Sequence, residues 1–262
     1  MSDFSDLRAR GLSGLAMAVV GLGAIWWGGL VFGALALGLA ALMGWELTRM
    51  MDRDGPDGRA QAAGLVAAVL VGVFSYWQAG WVALGGLALG AAVMAARMPK
   101  DRVIYGLYFA LILCAGHALI LLRGHFGLVF VLWLVCVVIA SDVAGYFAGR
   151  MIGGPKFWPR VSPKKTWSGT VAGWLLAALV GAGFALWAGM PWALVPLSAL
   201  LAFAGQMGDI AESAIKRRMG VKDSSHLIPG HGGVLDRFDA MIAVAALALI
   251  LAYLGAFAGI GG

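Results

Sequence analysis

Between Asp209 and Asp239 ten of 31 residues are charged, in a chain where only 12% are. Asp209, Glu212 or Ser213, and Lys216 follow helical spacing and share one face, and Asp236 and Asp239, three apart, share another. Asp142 and Tyr146 stand four apart in "SDVAGYFAGR". Carboxylates brought to one depth by several helices make an oxygen-ligand site for a hard cation such as Mg²⁺. The alternative is that they are helix-end acids paired with nearby Arg and Lys. Two basic clusters accompany them: Lys156, Arg160, Lys164 and Lys165 in "PKFWPRVSPKKTWSGT", and Lys216, Arg217, Arg218 and Lys222 in "KRRMGVK". Anchoring to anionic lipid covers Arg160 and Arg218. It does not account for Ser162-Pro163-Lys164-Lys165-Thr166 or for "PGHGG", where proline and glycine fix turns and expose backbone N–H groups suited to phosphate. Lysine serves there as a point charge. Carboxylates for metal with lysines and amides for phosphate point to phosphoryl or nucleotidyl transfer at a membrane surface. His231, between glycines, has three open roles: phosphate donor, general acid/base, or a hydrogen bonder that fixes the loop. His117 and His125 are read as structural or interfacial, and His226 has no assigned role. Among the tryptophans only Trp167 is read as lining the site.

The elements that position these residues are membrane helices. The chain has 262 residues, 61% hydrophobic, with a mean hydropathy of +0.89, against about 45–50% apolar for soluble domains. Its 40 glycines allow close helix approach and its 11 tryptophans suit the interface. Spans need about 20 apolar residues, and nine are expected: 9–26, 28–47, 61–78, 80–97, 103–122, 126–148, 169–188, 191–208 and 236–258. The first two share an apolar tract, Gly11 to Met43, that is long for one helix and tight for two. Nine spans with a cytoplasmic N-terminus put 18 of the 19 Lys and Arg residues on the inner side and leave Arg123 outside. The net charge of +6 then reflects sidedness rather than a nucleic-acid partner. The expectation is an all-α, polytopic protein of the inner, cytoplasmic membrane, with its active site at the cytoplasmic side. It forms one membrane domain over 1–262, with N-terminal spans in 9–122 and the chemistry-bearing spans in 126–258. The N-terminus is read as a first anchor rather than a removable signal. Cys114 and Cys136 lie in apolar runs and form neither a metal spacing nor a disulfide framework.

The polar stretch resembles the signature of phosphatidate cytidylyltransferases, also called CDP-diacylglycerol synthases. Its elements are Ser213, Lys216-Arg217, Lys222-Asp223, Pro229-Gly230-His231-Gly232-Gly233 and Asp236-Arg237-Phe238-Asp239. "SDVAGYFAGRMIG", "SPKKTWSG" and "GDIAES" resemble three further family blocks, so the likeness covers Ser141 to Ala240. Two positions depart: Ser168 replaces a Glu, and Ala240 replaces a common Ser. The resemblance implies that CTP and phosphatidic acid give CDP-diacylglycerol and pyrophosphate, with Mg²⁺, a second cation such as K⁺ as an option, and a homodimer. It implies cation binding by Asp209 and Asp236 first, then Asp239 and Asp142. The catalytic set is Asp209, Lys216, Asp223, His231, Asp236, Arg237 and Asp239. The substrate-binding set is Ser162, Lys164, Lys165, Thr166, Ser213, Arg217, Lys222, Gly230, Gly232 and Gly233. Rival readings are a related CTP-dependent lipid enzyme, such as a polyprenol kinase or an isoprenoid-lipid cytidylyltransferase, a transporter of cations or phosphorylated solutes, and a scaffold without chemistry. Transporter sites lie near the midplane rather than at one face.

Overall fold

The computed structural model describes residues 2–77, 80–159 and 161–258, with side chains from Gly11 onward. Arg160, one of the two residues assigned to lipid anchoring, lies outside the described residues. Among the described residues eight helices run in chain order: α1 Ser2–Trp27, α2 Gly29–Met51, α3 Asp57–Trp77, α4 Trp81–Ala96, α5 Arg102–Met151, α6 Trp167–Ala188, α7 Leu194–Arg218 and α8 Leu235–Tyr253. Five of them, α2, α3, α5, α6 and α7, are long and apolar enough to cross a membrane. Large apolar side chains such as Leu30, Leu65, Val82 and Leu186 stand exposed on the helix surfaces, as a hydrocarbon solvent would favour.

Two glycines punctuate the apolar tracts. Gly28, at φ 69°, separates α1 from α2, which settles the division of the Gly11–Met43 tract. Gly127, at φ 79° and ψ −168°, interrupts α5, in a region of backbone space open to glycine alone. A straight helix of 50 residues would run about 75 Å, far beyond a hydrocarbon core of about 30 Å. The contacts show instead that α5 folds back at Gly127. Before the break Asp101, at its N-cap, meets Arg218, and Arg123 reaches the carbonyls of Ile25 and Trp26 at the opposite end of the bundle. After the break Asp142 returns to a cavity shared with Lys165 and Asp209. With α5 divided into two limbs, the described residues form nine helical segments, each overlapping a stretch expected to span.

α5 packs against all seven other helices. One cluster of buried apolar residues runs continuously from Ala40 of α2 through Phe109, Leu113 and Trp133 of α5 to Leu249 of α8. At the end away from the polar loops, the rings of Phe126, Phe130, Trp133 and Phe257 pack edge to face or stacked. His117 is buried there between Ser75 and Tyr253, in the structural role read from the sequence. Cys114 and Cys136 are free thiols.

The all-helical expectation needs one addition. Residues assigned to a loop form a two-stranded antiparallel hairpin, β1 Lys156–Trp158 and β2 Ser162–Thr166, with Lys156 opposite Thr166 and Trp158 opposite Ser162. Each strand is an edge, so Pro163 in β2 breaks no interior ladder. α7 continues ten residues past its expected apolar span, to Arg218, so Asp209, Glu212, Ser213 and Lys216 lie on one helix as their spacing predicts.

Candidate active site

The polar end of the bundle carries two groups of ionised residues. The first lines a cavity of about 410 Å³ between the second limb of α5, β2, the first turn of α6, and α7. α5 contributes Ser141, Asp142, Gly145, Tyr146, Gly149 and Arg150; β2 contributes Lys164, Lys165 and Thr166; α7 contributes Gln206 and Asp209. Lys165 Nζ lies 2.6 Å from Asp209 Oδ2 and donates to the Gln206 carbonyl at 3.2 Å. Ser213 Oγ, one turn on, donates to Asp209 Oδ1. Lys164 is exposed at the rim. Ser162 begins β2 but does not line the cavity.

Helix starts and crossings set the walls. Thr166 is the N-cap of α6, its Oγ1 accepting from Gly169 N at 3.2 Å, so its buried hydroxyl holds the helix that follows the two lysines. Ser168, where the resembled pattern has Glu, donates from Oγ to the Gly153 carbonyl at 2.5 Å and meets Thr166 Oγ1 at 3.0 Å. Gln206 is buried, donating to Ser141 Oγ and the Thr170 carbonyl and accepting from Trp174 Nε1. Trp167 packs on Phe157 and is not among the lining residues.

The second group surrounds Asp236. Its carboxylate accepts from Lys216 Nζ at 2.7 Å, Ser224 N and Oγ at 2.9 Å each, and Gly233 N at 2.7 Å. Lys216 Nζ also lies 2.6 Å from Oε2 of the buried Glu212. Asp236, with only 3% of its side chain exposed, therefore acts as the acceptor at the centre of a cage. Asp239, one turn along α8, packs its backbone carbonyl on Gly208 of α7, the residue before Asp209, and its Oδ1 accepts from Ala240 N at 2.7 Å.

The remaining predicted residues surround these groups. His231 Nδ1 is 2.7 Å from Ser13 Oγ of α1, and Ser13 Oγ also donates to the Pro229 carbonyl. Such a contact is of the loop-fixing kind, one of the three roles left open for His231. Arg237 Nε donates to the His231 carbonyl at 3.0 Å rather than pairing with an aspartate. Gly230 and Gly232 carry positive φ in the turn, and Asp223 lies beside Gly232. Arg217 and Lys222 are exposed. Arg218, read as a lipid anchor, is instead bidentate with Asp101 at 2.6 and 2.9 Å, and its guanidinium holds the Asp101 carboxyl below the usual carboxylate range. Asp101 lies 117 positions earlier, so no local pattern marks it as a partner.

Two residues important to this geometry went unnoticed in the sequence. Gln206 belongs to no motif read from the sequence. Glu46 of α2 is fully buried and accepts from Ser225, Val234 and Leu235; as a lone acid at the end of an apolar span it carried a readable signal.

Among the described residues, no three His, Cys, Asp or Glu groups lie close enough to enclose a metal ion as they stand. The donor chemistry nevertheless fits a hard cation. Asp142, Asp209 and Asp239 supply only oxygens, and their negative charges act on one another with Lys165 and Lys216 as counter-charges. A cation would displace a lysine at either residue, Lys165 at Asp209 and Lys216 at Asp236; Asp236 is the more enclosed, its Oδ2 already accepting from Ser224 and Gly233.

The Cytidylyltransferase family model matches residues 8–254. The chain belongs to the cytidylyltransferase family. A phosphatidate cytidylyltransferase of Brucella suis is 35% identical over 251 residues, which cover 93% of this chain and 92% of that protein. The phosphatidate cytidylyltransferase of Bacillus subtilis is 30% identical over 259 residues, covering 91% and 95%. That of Helicobacter pylori is 43% identical over 119 residues, covering 45% of this chain and 44% of that protein. This cytidylyltransferase relationship spans both halves of the chain, whereas the motifs seen in the sequence occupied only the second.

Proposed function

We propose that the protein transfers the cytidylyl group of CTP to phosphatidic acid, giving CDP-diacylglycerol and pyrophosphate. The observation that carries this reading is the cavity in which Lys164 and Lys165 face Asp142 and Asp209 at the polar end of a membrane bundle. The phosphate of phosphatidic acid is already anionic and needs no general base. One of its oxygens attacks the α-phosphorus of CTP in line. The bond from that phosphorus to the α,β-bridging oxygen breaks, and pyrophosphate leaves with the electron pair. Such a transfer depends on positioning and charge neutralisation. Lys164 and Lys165 take phosphate oxygens inside the cavity, and the exposed Arg217 and Lys222 draw the triphosphate toward it. Asp142, Asp209 and Asp239 would hold Mg²⁺, which would supply charge neutralisation for the transfer. Lys216, locked by Glu212 and Asp236, fixes α7 against α8 behind the site.

In this reading the nine helical segments are nine spans of a single membrane domain in the inner membrane. The polar end and the N-terminus lie on the cytoplasmic face, where CTP is found, and the acyl chains remain in the bilayer. The charge distribution along the sequence supports that sidedness. The resemblance of the C-terminal motifs supports a homodimer and a monovalent cation such as K⁺ beside Mg²⁺, with no nucleic-acid partner.

The deciding experiment is pyrophosphate release by purified protein in mixed micelles, with CDP-diacylglycerol followed in parallel. Release that requires CTP, phosphatidic acid and Mg²⁺ together is the expected result. Pyrophosphate release with an isoprenoid phospholipid but not with phosphatidic acid, or CDP release with a polyprenol, would overturn the substrate assignment.

A further inference from the structure

Glu46 lies near the C-terminal end of α2, and none of its surface is exposed. A carboxylate buried to that degree persists only where its oxygens are filled. Ser225 Oγ donates to Oε1 at 2.5 Å and Val234 N at 2.9 Å, while Leu235 N donates to Oε2 at 2.6 Å. All three donors belong to the segment that enters α8. The first N–H groups of a helix have no partner within it, and the cap position of α8 is Val234, whose side chain has no oxygen to offer. The cap is supplied from α2, 189 positions away in sequence from Leu235, and negative charge at a helix N-terminus is favourable.

Glu46 and Asp236 divide the donors of two adjacent stretches. Ser224 and Gly233 go to Asp236, and Ser225, Val234 and Leu235 go to Glu46. No side chain fits at the junction: a Cβ on Gly233 would lie 2.6 Å from Glu46 Oε1 and would also collide with Ser224 Oγ. The first turn of α8 is thus clamped between a carboxylate of its own and one from the N-terminal half.

We propose that Glu46 is a positioning residue for cytidylyl transfer: by capping α8 from α2 it fixes the first turn of α8, and with it Asp239, against α7 beside Asp209. The proposal rests on the reading of Asp142, Asp209 and Asp239 as the cation-binding set. Partners that orient metal ligands typically contribute about 10–100-fold in metal affinity or activity.

The test compares full-length parent, Glu46→Gln and Ser225→Ala proteins in detergent. Mn²⁺ binding is measured by electron paramagnetic resonance, kcat and KM for each substrate are determined, and thermal unfolding serves as the control. Folded Glu46→Gln is expected to bind Mn²⁺ about tenfold more weakly and to lose about 10–100-fold in kcat, with KM for phosphatidic acid little changed. Ser225→Ala should shift both quantities in the same direction by less. Folded Glu46→Gln with the parent's Mn²⁺ affinity overturns the proposal, whatever its kcat. If Glu46→Gln does not fold, Ser225→Ala decides, and parent-like Mn²⁺ binding and kcat in that variant overturn it. A parent that binds no Mn²⁺ instead removes the cation reading beneath the proposal.

Discussion

Asp209 and Asp236 each meet a lysine at hydrogen-bonding distance, yet they occupy different kinds of place. The side chain of Asp209 is 33% exposed and faces a cavity. That of Asp236 is 3% exposed and is ringed by Lys216, Ser224 and Gly233. A carboxylate paired with a lysine and a hydroxyl beside open space has room to exchange a partner for a ligand. A carboxylate ringed by donors of the folded chain also holds that chain in place. Two aspartates that look equivalent as signature residues thus differ in setting, one open to a cavity and one enclosed.

The sharpest way to break this distinction is Asp209→Asn. It should reduce turnover about a thousandfold or more, the scale of lost metal-assisted charge stabilisation, with the melting temperature nearly unchanged. Asp236→Asn should reduce both, because Lys216 loses a buried counter-charge; a variant that is inactive but fully stable would place Asp236 with Asp209 after all. Lys216→Met leaves Glu212 and Asp236 buried without their cation and should cost about 3–5 kcal/mol in equilibrium unfolding. Lys165→Met, on the cavity side, should lower kcat/KM for CTP about 10–100-fold, as expected for a charged phosphate contact worth about 1.5–3 kcal/mol, and leave unfolding unaffected. The smallest effect belongs to Arg218→Ala. Its pair with Asp101 is exposed at the protein surface, and neither the melting temperature nor turnover should move.

The helical segments were legible because glycine and charge punctuate the apolar tracts, as Gly127 and the basic loops illustrate. The residues of the cavity were legible because Asp142, Lys164, Lys165 and Asp209 lie in motifs whose residue types belong to phosphate and metal chemistry. The hairpin was not, since three- and five-residue strands containing Pro163 show no alternation to read. Nor was the cage around Asp236. Ser224 and Gly233 read as loop, and their shared acceptor becomes visible only when α8 starts beside them. Glu46 escaped because it lies in a half of the chain whose other residues spell mostly hydrophobicity, and its partners lie 179 to 189 positions away in the other half. Long-range donors to a buried acceptor leave no periodic trace in sequence.

The fold-back of α5 bears on how the molecule is made. A ribosome delivers the first four helices before the helix they all rest against, and the last three after it is in place. Early in synthesis, therefore, the N-terminal helices have only one another and lipid for company. Once the chain passes Gly127 and the second limb turns back, each later helix meets a completed surface on arrival. The vulnerable interval for this protein ends near the middle of its synthesis, and a stall before that point would leave four helices without the surface that later binds them together.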